Sequence, residues 1–452
     1  MPHKPSLHAG ARQIISRCLC LEPDQQLLIF LDETTVETAV ILAEAAAEQD
    51  VPHTLILVPV AIQHSIPVKS DLSLLAQGAA REARAIILCV NATPECLPFR
   101  RRMLETNWTA RARVGHMPGA IPEVLGLADV DFDRLIGDCW CMEIAMARGR
   151  KLELVSYAVN GHEYSLQVDI GGWERLPVAS DGVIGDGAWG NIPSGETYIA
   201  PLEGSGEGSI VINGSIPGMV VEQRDEIVLS FTQGRLISID PVDAAPARWL
   251  QDSQIDPAKA LGDSNWSNLA EIGIGMNPAV KELKGNMLFD EKAARTAHIA
   301  LGTNTFMGGR IAASIHCDMV TLDPTVRIDD KVVLEHGELA LSDADWQEHY
   351  STISLDNSPL RKATRVARSG VQASDSGDGR LQRILRPEPG RVSACFVGDP
   401  ETAQLAYSMY SLIPDDGEWL KLDDLTHLGI WDPDMVRKVL HLMWTFGLID
   451  LR

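Results

Sequence analysis

The sequence predicts three parts: an α/β N-terminal domain on a parallel sheet, an α+β and mainly antiparallel domain, and a small C-terminal helical module. Three observations predict it. Between residues 26 and 91, apolar runs of strand length alternate with helical patterns, the texture of a parallel sheet layered by helices. At Lys151 the hydrophobic period changes from helical to alternating. After a stretch rich in glycine, serine and aspartate at 369–379, helical patterns return. The expected boundaries are 1–150, 151–368, a flexible linker at 369–380, and 381–452. A chain of 452 residues is too long for one small core, and several domains follow from length alone.

Residues 26–31 read as a buried strand and 53–58 and 84–90 as two further strands, with helices at 35–48 and 72–81 between them. Helices continue at 98–105 and 131–150. The turns hold no Gly-x-Gly-x-x-Gly, so no nucleotide is expected there. Arg100, Arg101 and Arg102 with Arg111 and Arg113 form a basic patch in an acidic protein. It reads as a solvated helix face or as a grip on a substrate carboxylate. His116, on an expected loop, is the candidate proton donor of this half. From Lys151, strands at 152–159 and 163–170 flank Asn160-Gly161, a two-residue hairpin turn. Strands at 209–213, 226–231 and 235–239 extend this into an antiparallel sheet or partial barrel. The glycine-rich stretch 182–195 is a turn-rich lead into Glu196, since no P-loop lysine follows it.

The stretch 268–320 collects Glu271, Asp290, Glu291, His298, His316 and Asp318 among apolar and glycine residues, where unpartnered ionisable groups are least expected. That composition suits a metal site. Residues 311–320 read as a strand, which puts His316 and Asp318 on one face and Cys317 on the other. An imidazole beside a carboxylate is half a ligand shell for zinc, manganese, cobalt or iron. Residues 290–301 read as a helix closed by Gly302, with His298 in its last turn and Glu291 two turns earlier. Residues 270–275 read as a strand whose glycines let a ligand approach the backbone.

The phrases Ala270-Glu271-Ile272-Gly273, Asp290-Glu291-Lys292, His298-Ile299-Ala300-Leu301-Gly302 and Ile315-His316-Cys317-Asp318 resemble, in this order, the motifs of the M29 metalloaminopeptidases, the aminopeptidase T and S group. The stretch from Asn191 to Pro201 resembles a fifth, whose glutamate sits at the active site. The resemblance covers roughly 185–335. It implies two divalent ions, zinc, cobalt or manganese, held by Glu196, Glu271, His298, His316 and Asp318. It also implies a metal-activated water attacking an amide or peptide bond of a small peptide-like or amino-acid-derived substrate, with Glu196 as ligand or base. Thr305 stands where the family peptidases carry a tyrosine. The chain is also similar to relatives of the iron-dependent 2,5-dihydroxypyridine dioxygenases, in which His298, His316 and Asp318 would hold Fe(II) as a facial triad. A non-catalytic binding or assembly protein is the third reading.

The formal charge of −23, from 39 basic and 62 acidic residues, excludes nucleic acid and anionic membrane as partners through the general field. The eight cysteines show no Cys-x-x-Cys pair and are expected as reduced thiols. No signal peptide and no apolar run of the ~20 residues a membrane helix needs is evident, so a cytoplasmic enzyme is expected. Helical patterns at 399–412, 422–428 and 432–446 resemble a winged helix. Its acidic surroundings point to dimerisation, partner docking or cover of the active site instead of DNA, and the expected assembly is a homodimer.

Overall fold

The computed structural model describes residues 4–65, 74–93, 112–171, 177–184 and 189–341, single residues between these segments, strands between 365 and 395, and scattered positions from 409 to 451. Strands β1 (Leu27–Leu31), β2 (His53–Leu57), β3 (Ala85–Cys89) and β4 (Arg113–His116) form a parallel sheet in the order β2-β1-β3-β4. β1 and β3 are buried at every position, because the sheet is covered on both faces, by helix Val36–Ala47 among others. Their unbroken apolar runs follow from this. Helix Leu74–Glu82 falls where the sequence predicts one, and of the helix expected at 98–105 the described residues 99, 100, 103 and 104 are helical. Helix Phe132–Arg148 is capped by the Asp131 carboxylate, which accepts the Arg134 amide.

β5 (Lys151–Tyr157) and β6 (Glu163–Asp169) make the expected hairpin, but with a longer turn. The Ala158 amide donates to the His162 carbonyl at 2.9 Å, leaving a loop of 159–161 with Gly161 at φ 82°. There follow β7 (Val178–Ser180), β8 (Trp189–Asn191), β9 (Glu196–Ile199), β10 (Glu207–Ile212), β11 (Ser215–Ile216), β12 (Met219–Val220), β13 (Ile227–Thr232), β14 (Arg235–Asp240), β15 (Leu269–Gly275), β16 (Thr296–Gly302), β17 (His316–Leu322), β18 (Thr325–Ile328), β19 (Lys331–Glu335) and β20 (Glu338–Leu339). These build two antiparallel sheets. One runs β14-β13-β10-β6-β5-β18-β19-β20, the other β12-β11-β17-β16-β15-β9-β7. β8 leaves this half to pair in parallel with β4.

β21 (Arg365–Arg368), β22 (Gln372–Asp375), β23 (Leu381–Leu385) and β24 (Arg391–Cys395) follow. β24, β23 and β22 continue the parallel sheet beyond β8, so Gln372–Asp375 is a strand within the segment expected as a linker. Backbone pairing with β23, not side-chain composition, holds it extended. The winged-helix expectation falls largely on positions outside the described residues, as do Arg101, Arg102 and Arg111. Among the described residues no helix is long and apolar enough to cross a membrane, and every cysteine whose side chain is described is a free thiol.

Candidate metal centre

The centre lies on one face of the second antiparallel sheet. Residues paired directly across antiparallel strands point to the same side. In the rows of this sheet Glu271 pairs with Ala300 and Ala300 with Asp318, Gly273 with His298 and His298 with Val320, Gly302 with His316, and Gly275 with Glu196. Glu196, Glu271, His298, His316 and Asp318 therefore share a face. The positions between the donors are Gly273, Gly275, Ala300 and Gly302, so nothing bulky stands in the way. Gly273 is a slot for the facing imidazole: a Cβ there would lie 2.1 Å from His298 Nε2.

The sequence placed His298 on a helix, and the structure corrects this. The helix is the single turn Met287–Asp290, and His298 sits in the middle of β16 with both faces of the strand buried. Asp290, one of the candidate acids, is spent on that turn, accepting the Lys284 and Gly285 amides at 2.8 and 2.7 Å. The strand expected from 311 begins only at His316. Before it, side chains take the backbone: Asn304 Oδ1 accepts the Ile311 amide and Asp263 the Ser314 amide.

Glu271 is the hub. Its Oε1 lies 3.3 Å from His298 Nε2 and its Oε2 3.1 Å from His316 Nε2, while Asp318 Oδ1 is 3.3 Å from the same His316 nitrogen. Donor atoms of Glu271, His298 and Asp318 all lie within 4.8 Å of one another. His316 Nδ1 donates to the Thr303 carbonyl at 2.8 Å, which fixes the ring and leaves Nε2 facing the acids. Glu196 and His298 are buried, and His316 and Asp318 are partly exposed, so the centre opens on their side.

Lys292 was not anticipated. Its ammonium is fully buried, 3.0 Å from Glu196 Oε1 and hydrogen-bonded to Glu291. The signal was present in the apolar surroundings of Asp290-Glu291-Lys292. Glu196 Oε2 is left buried with no hydrogen-bond partner, 3.8 Å from His298 Nε2. A second unanticipated group supports the loop between β16 and β17. Arg175 donates to the Gly308 carbonyl at 2.6 Å and pairs with Glu203, whose other oxygen accepts Asn304 Nδ2 and the Arg310 amide.

The charges perturb one another strongly. Burial works against ionisation of Glu271, yet hydrogen bonds from the two imidazoles outweigh it and hold the carboxyl at about 2. Burial would likewise lower His298, but Glu271 and Glu196 raise it to about 9, and His316 is raised by Asp318 and Glu271 against the same opposing burial. Burial raises Glu291 to about 8 against the pull of Lys292, and raises Glu196 in the same way. For Lys292 burial is again opposed, and the two glutamates win and raise it. Protons on the imidazoles thus stand among carboxylates where a cation would be welcome. The donor set and the orphaned Glu196 oxygen fit a divalent ion.

His116 is placed elsewhere. It lies on β4, not on a loop, nine-tenths buried, with Nδ1 2.9 Å from Asn191 Oδ1 and Trp189 edge-on at 5.7 Å. Burial, assisted by Arg100, lowers it to about 3, so at neutral pH the ring is the uncharged imidazole, a poor general acid. Arg113 is neither a solvated face nor a substrate grip. It is buried and ties β4 to the Leu19 and Cys20 carbonyls at 2.8 Å.

No family profile and no curated protein sequence matches the chain. Solved structures do. The chain is similar to the 2,5-dihydroxypyridine dioxygenase of Pseudomonas putida KT2440, with a TM-score of 0.57 and 19% identity over 76% of this chain and 99% of that one. It is also similar to AmpT of Thermus thermophilus, with a TM-score of 0.51 and 16% identity over 75% of this chain and 100% of that one. At these identities the likeness is one of fold.

Proposed function

We propose that this chain is a metal-dependent hydrolase that cleaves an amide or peptide bond of a small peptide-like substrate. Glu271, His298, His316 and Asp318 hold the metal, and Glu196 is the base. One observation carries the reading: Glu196 Oε2 is buried, unpartnered and turned toward the donor cluster, while Lys292 fixes its other oxygen. A zinc, cobalt or manganese ion in this donor set supplies Lewis acidity toward a carbonyl and toward water. Glu196 Oε2 accepts the proton that water gives up as its oxygen bonds to the carbonyl carbon, and returns it to the amine nitrogen as the carbon–nitrogen bond breaks. Burial, which raises the proton affinity of Glu196, suits this part; Lys292 moderates it. AmpT, an M29 aminopeptidase, shares the fold and supports the reading. The test is release of free amine from a peptide and amide panel by chelator-stripped protein reloaded with each metal. Glu196→Gln is expected to keep its metal and lose turnover by about 10²-fold or more. A fully active Glu196→Gln removes that residue from the mechanism.

A second reading is favoured by the same lysine. With Glu196 held by Lys292, the triad His298, His316 and Asp318 has the ligand count of a mononuclear iron oxygenase, and the dioxygenase fold supports it. Oxygen uptake with a hydroxylated aromatic after anaerobic Fe(II) loading, in protein inert toward peptides and amides, would replace the first reading with the second.

A further inference from the structure

The Glu196–Lys292 pair is held at both ends by one residue, through its backbone at one end and its side chain at the other. Asn277 donates its amide to the Lys292 carbonyl at 2.7 Å and its Nδ2 to the Ser194 carbonyl at 2.7 Å, two residues before Glu196. Its own carbonyl accepts the Ala294 amide at 3.0 Å. Lys292 is thus anchored through its backbone on the element that also sets Glu196, and its ammonium has no exposure through which to swing away. Two ions a few ångströms apart share a carboxylate that offers one oxygen to each. On the Glu196 side of Glu271 those donors would be Glu196 and Glu291, and both already face the Lys292 ammonium. A second dication placed there would meet a fixed positive charge and a carboxylate with one oxygen committed.

We infer that Lys292 is a built-in cation occupying the place of a second metal, so that the chain binds a single divalent ion at Glu271, His298, His316 and Asp318. The inference rests on the metal-centre reading above and narrows it, since the resemblance to the M29 peptidases led to an expectation of two ions. It makes Lys292 a positioning residue, acting through Glu196 and not on substrate. The count of one ion holds for either chemistry proposed above, with His298, His316 and Asp318 alone as ligands in the iron reading.

The experiment counts ions. Chelator-stripped full-length protein is incubated with excess zinc or cobalt, freed of unbound metal by gel filtration and analysed for metal per chain. Wild type is expected to retain one ion, Lys292→Arg one, and Lys292→Met two, because Glu196 and Glu291 are then released as donors. Two ions in wild type overturn the inference and leave the metal centre standing. No ion in wild type overturns the metal centre and the inference with it. One ion in a folded Lys292→Met shows that the lysine is not what excludes the second. Should that variant fail to fold, Lys292→Gln, which also removes the charge, takes its place: two ions support the inference and one overturns it.

Discussion

Substitution of Gly273 by alanine probes the centre without touching a donor. The new methyl would lie 2.1 Å from His298 Nε2 and 2.2 Å from its Cε1, closer than real Cβ contacts. Gly273 is paired to both neighbours, Tyr198 on β9 and His298 on β16, so the backbone has little room to yield. The imidazole has to retreat by about 1 Å, several times the tolerance of roughly 0.2 Å on a metal–ligand distance. Losing a ligand outright costs more than losing its supporting hydrogen bond, so affinity should fall by at least about 100-fold. At saturating metal, a 100-fold loss removes about 2.7 kcal/mol of ligand-linked stabilisation. The metal-free protein loses only about 1–3 kcal/mol to overpacking, partly offset by the gain from removing a strand glycine. Gly78→Ala is the control: it lies in helix Leu74–Glu82 with open space around the new methyl, and should gain up to about 1 kcal/mol. Calorimetric titration with zinc or cobalt, and thermal unfolding with and without metal, measure both quantities. Wild-type affinity in a folded Gly273→Ala would refute the placement of His298 as a donor.

Asn304→Ala should free the loop whose Thr303 carbonyl holds His316, lowering metal affinity about tenfold while leaving the metal-free unfolding midpoint within a few degrees of wild type. Gly309→Ala, whose methyl would fall 2.0 Å from the Asn304 Cγ, should give the same loss, and unchanged titrations in both would remove the loop from the centre's support. His116 supplies a pH prediction. Its folded value of about 3 lies below its ordinary 6.5, so its contribution to stability is complete above pH 6.5 and is lost as pH falls toward 3. Between pH 6.5 and 4 this amounts to roughly 3 kcal/mol. In denaturant unfolding across that window, His116→Gln should lose correspondingly less than wild type, and parallel curves would contradict the buried neutral imidazole.

Strands β1 and β3 were legible because a sheet covered on both faces needs apolar residues at every position, and runs such as Leu27–Leu31 have no other use, whereas β4, with Arg113 and His116, shows no such run. All five proposed metal donors were legible as residue types, and the structure brings them to one face. What misled was the element under His298. Thr296–Gly302 is buried on both sides, so it shows no polar alternation, and its alanines and leucine suit a helix equally. The period-two signal there is size: Ala297, Ile299 and Leu301 turn to the core, while His298, Ala300 and Gly302 line the centre. For Lys292 the apolar surroundings were a signal, but its role was not legible, because its partner Glu196 is remote in sequence and only the folded sheet brings them together. The strands at 372–395 escaped notice because the glycine, serine and aspartate around them read as a linker, whereas β22, β23 and β24 pair with one another and β24 joins β8.

The donors hang from four neighbouring strands, β9, β15, β16 and β17, and are spread along the chain from Glu196 to Asp318. An unfolded chain therefore offers a cation no ready-made chelate. Occupancy would act as a rivet through the middle of the sheet, and its influence should spread along the inter-strand ladder: deuterium uptake at the amides of Ile272, Ile274, Ile299 and Met319 should slow together when the ion is present, as one cooperative unit.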